Sequence, residues 1–130
     1  MMCLEDFRRL GDWAFRFQYR LGDEQYLSIV SFYGNKRISD LDFSKVLPKI
    51  NDMLRWLDSS VNEIRLQVIE NFPHAASIDI FNTCWLVSFS LIFEINGTLY
   101  TQVMYGDEIG CYIGANIIEK VVCDVWLVGL

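Results

Sequence analysis

The sequence predicts an α+β domain, with a mostly antiparallel sheet of five to six strands packed on one long central helix. Three observations carry this expectation. Residues 83–105 read as two β-rich runs around Asn96-Gly97, the strongest short-range hairpin signal. Residues 13–20 alternate apolar and polar side chains, and a second β-rich run follows at 25–33 after a turn at Gly22. Between these hairpins Phe43, Leu47, Ile50, Leu54, Leu57, Val61, Ile64 and Val68 recur at spacings of 4-3-4-3-4-3-4. Such a repeat draws one continuous apolar stripe along a helix. Strands on both sides of one helix, in the order ββ-α-ββ, make a two-layer domain. A chain of 130 residues is large enough for a core and is read as a single domain over 1–130.

Taken in order, residues 3–11 form a short helix or a frayed lead-in that Gly11 closes. In the first strand Trp13, Phe15, Phe17 and Tyr19 share one side, and Ala14, Arg16, Gln18 and Arg20 the other. The second strand is apolar on both sides, with Leu27 and Ile29 against Val30 and Phe32, so cover on both faces is expected. Asp40 or Asp42 can cap the helix. Pro48 lies too deep for a first-turn proline, which predicts an irregular turn over 43–46 and a regular helix over 47–72. That helix would be about 39 Å long at ~1.5 Å per residue. Ser60-Val61-Asn62-Glu63 has the form of a capping box that restarts a helix. The stripe keeps its phase through it, so one helix, bent at most, is expected. A coiled-coil dimer is the other use of such a stripe, but the flanking strands need a cover and claim it first.

In the central hairpin Trp85, Val87, Phe89, Leu91, Phe93 and Ile95 alternate with Leu86, Ser88, Ser90, Ile92 and Glu94. A two-residue Asn-Gly turn sets Phe93 opposite Tyr100 and Phe89 opposite Met104 on the core face. It leaves a mixed second face that pairs Glu94 with Leu99 and Ser88 with Tyr105. Gly106–Gly110 reads as a turn, 111–113 as a short strand and 114–116 as another turn. The tail fits a helix by its four-residue recurrence and a strand by its β-branched run Val-Val-Cys-Asp-Val-Trp-Leu-Val. A strand over 120–128 is the expectation.

Composition excludes several functions. The chain is 52% apolar with mean hydropathy +0.22. No apolar run approaches the ~18 to 20 residues that span a bilayer. The first ten residues carry charge too early for a signal peptide's apolar segment, so a cytoplasmic place and no membrane partner are expected. Cys3, Cys84, Cys111 and Cys123 are scattered without a Cys-x-x-Cys pair and read as reduced thiols. His74 is the single histidine, which argues against a zinc site. No cofactor motif is present. Gly106, Gly110 and Gly114 lack the Lys-Ser/Thr and helix start of a phosphate loop.

Catalytic sets fare no better. Cys84, His74 and Asp79 are the one combination of nucleophile, base and acid, and their spacing is not diagnostic. Cys84 opens an apolar strand, where a small buried hydrophobe is the usual role. The acid pairs Glu5-Asp6, Asp23-Glu24 and Asp107-Glu108 read as solvated turn charges. Arg16 and Arg20 face away from the aromatics of their strand, so they cannot interleave with them on single-stranded nucleic acid. A non-enzymatic function without nucleic acid is expected.

The charge is uneven. Residues 1–65 hold ten acids and ten bases, whereas 66–130 hold seven acids and one base, Lys120, so the second half carries the whole net charge of −6. An acidic face repels phosphate and attracts a basic protein partner. Asp107 and Glu108 are the first candidates for partner contact, then Asp79 and Glu119. Trp56, Leu66 and Ile69 fall outside the helix stripe, and Trp56 follows Arg55, both residue types enriched at binding hot spots. They support an alternative reading as a homodimeric scaffold or interaction domain; monomer and homodimer both stay open.

The Trp13-led hairpin, the helix ending near Phe72, the Glu94-Ile95-Asn96-Gly97-Thr98 hairpin and the closing Asp124-Val125-Trp126-Leu127-Val128-Gly129 together resemble a loose group of small bacterial α+β domains. Several of these are thought to be immunity proteins of polymorphic or contact-dependent toxins. One related family carries an aromatic-Gly-His run in its late strands. Here the region reads Gly110-Cys111-Tyr112-Ile113-Gly114 and lacks the histidine, so that residue's role does not carry over. The resemblance implies a stoichiometric inhibitor that binds a toxin domain, often a basic nuclease, through acidic side chains.

Overall fold

Seven strands form one sheet, and their order in space is their order in sequence. The computed structural model describes residues 1–34, 36–72 and 82–128. After a 3-10 turn at Leu4–Asp6 come β1 (Arg8–Arg9), β2 (Ala14–Leu21) and β3 (Glu24–Phe32). Two helices follow, α1 (Asp40–Ser59) and α2 (Val61–Glu70). Then come β4 (Trp85–Phe93), β5 (Leu99–Gly106), β6 (Cys111–Ile118) and β7 (Val121–Leu127). All neighbours pair antiparallel except β3 and β4, which pair in parallel. Parallel neighbours need a long crossover, and α1 and α2 lie in it. The α+β class and the mostly antiparallel sheet are as expected. The sheet is wider than five to six strands, and among the described residues the helical layer is two helices rather than one.

Ser60 divides them. Its backbone sits at φ −124°, ψ 15°, and its N–H turns back to the Leu57 carbonyl at 3.2 Å. The Ser60 side chain makes no capping bond, so the capping-box reading fails although the break is real. The stripe crosses the break in phase, with Phe43, Ile50, Leu54, Leu57, Ile64 and Val68 all buried. The first turn is regular. Ser39, not Asp40 or Asp42, is the N-cap, and its hydroxyl accepts the Asp42 N–H. Asp40 and Asp42 instead place negative charge at the helix's positive end. Pro48 lies inside α1 and costs about 3 kcal/mol, offset by burial of the stripe on either side.

The central hairpin differs by one residue from the expected register. Of its turn residues, Gly97 takes a positive φ, 87°. Gly97 N–H donates to the Glu94 carbonyl and Glu94 N–H to the Thr98 carbonyl, each at 2.9 Å, which makes a three-residue loop. Phe93 therefore faces Leu99, and Phe89 faces Val103. A slip of one residue exchanges the faces. Leu99, Thr101, Val103 and Tyr105 enter the core, and Tyr100, Gln102 and Met104 leave it. The expected register would have buried Gln102, a polar amide, in place of valine and leucine. At the other end of β4 a bulge at Val87 turns Leu86 inward, so Trp85 and Val87 are not on the core face.

The predicted turn at 114–116 is absent, and β6 runs straight through it. The chain reverses at Glu119-Lys120 instead, and β7 confirms the strand expected over 120–128, one residue shorter at each end. Aromatic packing joins the layers on the core side. Phe43 of α1 stacks on Phe15 at 4.2 Å, and Phe32 stacks on Phe93 across the parallel pair at 4.9 Å. Gln67 of α2 accepts the Val122 N–H at 3.1 Å, which occupies part of the β7 edge. No helix among the described residues is long and apolar enough to cross a membrane.

Candidate interaction surface

The parallel pair β3–β4 is laddered along part of its length. Pairing runs from Ile29/Ser90 to Phe32/Phe93 and stops there. Towards the starts of the two strands, side-chain hydroxyls take over. Ser28 Oγ donates to the Phe89 carbonyl at 2.6 Å, and Tyr26 Oη donates to the Leu86 carbonyl at 2.9 Å. The parted strands bound a groove of about 680 Å³ lined by Glu24, Gln25, Tyr26, Leu27, Trp85, Leu86 and Val87. Trp85 is 49% exposed and Leu27 61%. Burial, then the nearby Glu24 charge, pushes the Tyr26 hydroxyl above its ordinary pKa.

Acids flank this groove because of the topology. The starts of β3 and β4 lie at one end of the sheet, and the β5–β6 turn lies at the same end. Asp23 and Glu24 thus stand on one side of Trp85, and Asp107 and Glu108 on the other. The two turns are three strand spacings apart, about 14 Å. Asp58 joins them, since it accepts the Gly22 N–H at 2.9 Å. The Asp107 carboxylate accepts the Ile109 N–H at 2.8 Å and the Gly110 N–H at 3.4 Å, so it builds the turn it sits in. Glu108 is exposed beside it.

The other expected site residues do not join this set. Glu119 lies in the β6–β7 turn at the opposite end of the eight-residue strand β6, about 26 Å away. There Lys49 donates to the Gly97 carbonyl at 3.0 Å and Lys120 pairs with Asp52 at 3.2 Å, so the cations near Glu119 are already engaged. Asp79 and His74 lie outside the described residues. Trp56 and Ile69 pack against the core and are half-buried, while Leu66 stays 60% exposed, so the three make no common exposed patch. Cys84 is buried. Its thiol is pushed up by burial first and by Asp107 second, against a Thr83 hydrogen bond and Arg65, which favours the protonated thiol. Among the described residues no group of three or more His, Cys, Asp or Glu side chains is placed to hold a metal ion. Trp85 is the residue that sequence reasoning missed, because strict alternation assigned it to the core and no residue type announces the bulge at Val87.

Comparison of the chain with protein-family models, with curated proteins and with solved structures returns no match.

Proposed function

We propose that the chain is a non-catalytic protein-binding module, an immunity-type inhibitor that caps a basic surface of a toxin domain with the acidic end of its sheet. The observation that carries this reading is Trp85, half-exposed at the mouth of the β3–β4 groove. An exposed tryptophan in a pocket is the side chain most enriched at binding hot spots. Charges at the rim, here Asp23, Glu24, Asp107 and Glu108, steer a basic partner and speed its association. The toxin class comes from the resemblance in element order and supplies the kind of partner.

The test is co-purification with a toxin encoded beside the chain, followed by titration calorimetry and stopped-flow association. Trp85→Ala is expected to weaken binding by about thirtyfold, a loss of ~2 kcal/mol. Glu108→Lys is expected to slow association and flatten its salt dependence, whereas Glu119→Lys, at the far end, leaves both close to the parent. Binding that ignores salt and survives Trp85→Ala unchanged contradicts the reading.

A further inference from the structure

Among the described residues the second face of the sheet carries no helix. Its side chains fall in rows across the strands, each row at one height. One row runs Arg8, Arg16, Ile29, Ser90, Gln102, Asn116, Asp124 from β1 to β7. The row on one side of it runs Ala14, Ser31, Ile92, Tyr100, Ile118, Val121, and the row on the other side ends in Met104, Gly114 and Trp126. That last row begins with Gln18, Leu27 and Ser88, so a polar row lies between one largely apolar row and one mixed row. Leu27, Ile29, Ile118 and Val121 are exposed on this face.

The polar row has opposite charges at its two ends. Arg8 and Arg16 are direct cross-strand partners, an arrangement that repels. Among the described residues neither pairs with an acid, and Asp124 pairs with no base. Among the described residues the face therefore has two cations without an ion pair at one edge, where Asp6 lines the same cleft, and an anion without one at the other.

We infer that this face docks a second copy of this chain, about a two-fold axis parallel to the strands that seats Arg16 of each copy against Asp124 of the other. The charge row selects the axis. Rotation about a line parallel to the strands keeps every row at its own height and reverses strand order. Each row then meets its own copy, Ile92 meets Tyr100 and Ser90 meets Gln102 beside the axis, and the arginine edge covers the aspartate edge. A two-fold across the strands would instead set arginine on arginine. The contact is isologous, as a closed dimer requires.

The size suffices. Five strand spacings of about 4.8 Å by roughly 23 Å of strand give about 550 Å² of face per copy and ~1,100 Å² for two. That passes the ~1,000 Å² of a specific interface. Sheet twist makes the edges of packed faces diverge, and the long reach of arginine spans that gap. The dimer covers Leu27 and Trp85, so self-association and partner binding at the groove exclude one another. The inference does not depend on the toxin reading, since its test uses the purified chain without a partner.

Sedimentation equilibrium of the full chain at low and high salt tests it. A concentration-dependent dimer that weakens with salt is expected. Arg16→Asp and Asp124→Arg each act twice per dimer and are expected to weaken it by at least about tenfold. The double variant Arg16→Asp/Asp124→Arg is expected to regain affinity over either single one. Ile29→Lys, in the middle of the face, abolishes the dimer and serves if circular dichroism shows Arg16→Asp to be unfolded. A monomer at all concentrations, a dimer indifferent to these substitutions, or a double variant no tighter than the singles overturns the inference.

Discussion

The indole of Trp126 fills the space that a side chain at Gly114 would need. A Cβ placed on Gly114 would come within 2.4 Å of indole Cε2 and Cζ2. The two residues are cross-strand partners of β6 and β7 on the open face, so the glycine is a seat for the ring and not a turn. Gly114→Ala forces the indole off its strand partner. A loss of about 1–3 kcal/mol is expected, the usual cost of overpacking, read as a lower urea midpoint with a red-shifted tryptophan emission. In Gly114→Ala/Trp126→Ala the clash is gone, so the double loss is expected to be smaller than the sum of the single losses. Simple additivity contradicts the contact.

Ser28 and Tyr26 hold the parted end of β3 and β4 together, and they do so unequally. Ser28 is 2% exposed and its partner Phe89 3%. Ser28→Ala leaves a lone pair of the buried Phe89 carbonyl without its hydroxyl donor, and about 1–3 kcal/mol of stability is expected to go. Tyr26 is half-buried, and water can replace its hydroxyl at the Leu86 carbonyl. Tyr26→Phe is therefore expected to cost less, about 0.5–1.5 kcal/mol. Denaturant unfolding of both variants checks the order, and a costlier Tyr26→Phe contradicts it.

The layers of this fold are legible in the sequence because they rest on periodicity. The stripe from Phe43 to Val68 marks the helical layer, and the alternation of Phe15 and Phe17 marks the core face of β2, whereas the apolar residues on both sides of β3 do not tell Val30, which is buried, from Leu27 and Ile29, which are exposed. Departures occurred where one backbone torsion outweighs a pattern. Ser60 breaks the helix through a change in ψ that leaves the stripe in phase, so the stripe cannot report it. The Asn96-Gly97 signal names a two-residue turn, yet burial of Leu99 and Val103 in place of Gln102 favours the three-residue loop. The bulge at Val87 reverses Trp85 and Leu86 without a change of residue type. A one-residue irregularity in a strand moves every side chain beyond it, which is why faces are harder to read than elements.

The interaction surface was less legible because it is assembled by topology. Asp107 and Glu108 stood out by charge, but their neighbours Asp23, Glu24 and Asp58 come from the half of the sequence whose charges sum to zero. The parallel pairing of β3 with β4 brings these turns to one end. Glu119 shares the acidic half of the sequence and lies at the other end. Net charge along a chain does not say which charges a sheet will gather.

The β6–β7 turn stores removable strain. Glu119 and Lys120 hold φ of 51° and 65°, the left-handed region that L side chains avoid. Two consecutive residues there form the hairpin turn that Asn-Gly fits best. Glu119→Asn/Lys120→Gly is expected to raise stability by about 1 kcal/mol. The substitution removes the Lys120–Asp52 pair, which is exposed on both sides and contributes little. A higher urea midpoint with an unchanged slope is the expected reading, and a lower midpoint would show that the pair outweighs the strain.

Tyr105 sets the alkaline limit. It is buried on β5, and its hydroxyl is held well above the ordinary value of 10.0, by burial first, with Arg65 lowering it and Tyr26 raising it. Below pH 10 the folded and unfolded chains both keep this proton, so stability is unaffected. Above it the unfolded chain releases the proton and the folded chain retains it, so the folded state binds more protons and stability falls as pH rises. Each such group contributes a slope of up to ~1.4 kcal/mol per pH unit. Tyr19, Tyr26 and Tyr100 are raised as well and add in the same direction. Urea unfolding across this range is expected to show a steep loss above pH 10 in the parent. Tyr105→Phe is expected to have a shallower slope by about one proton, whatever its starting stability. Equal slopes in the two proteins would mean that the Tyr105 hydroxyl is reached by hydroxide in the folded state.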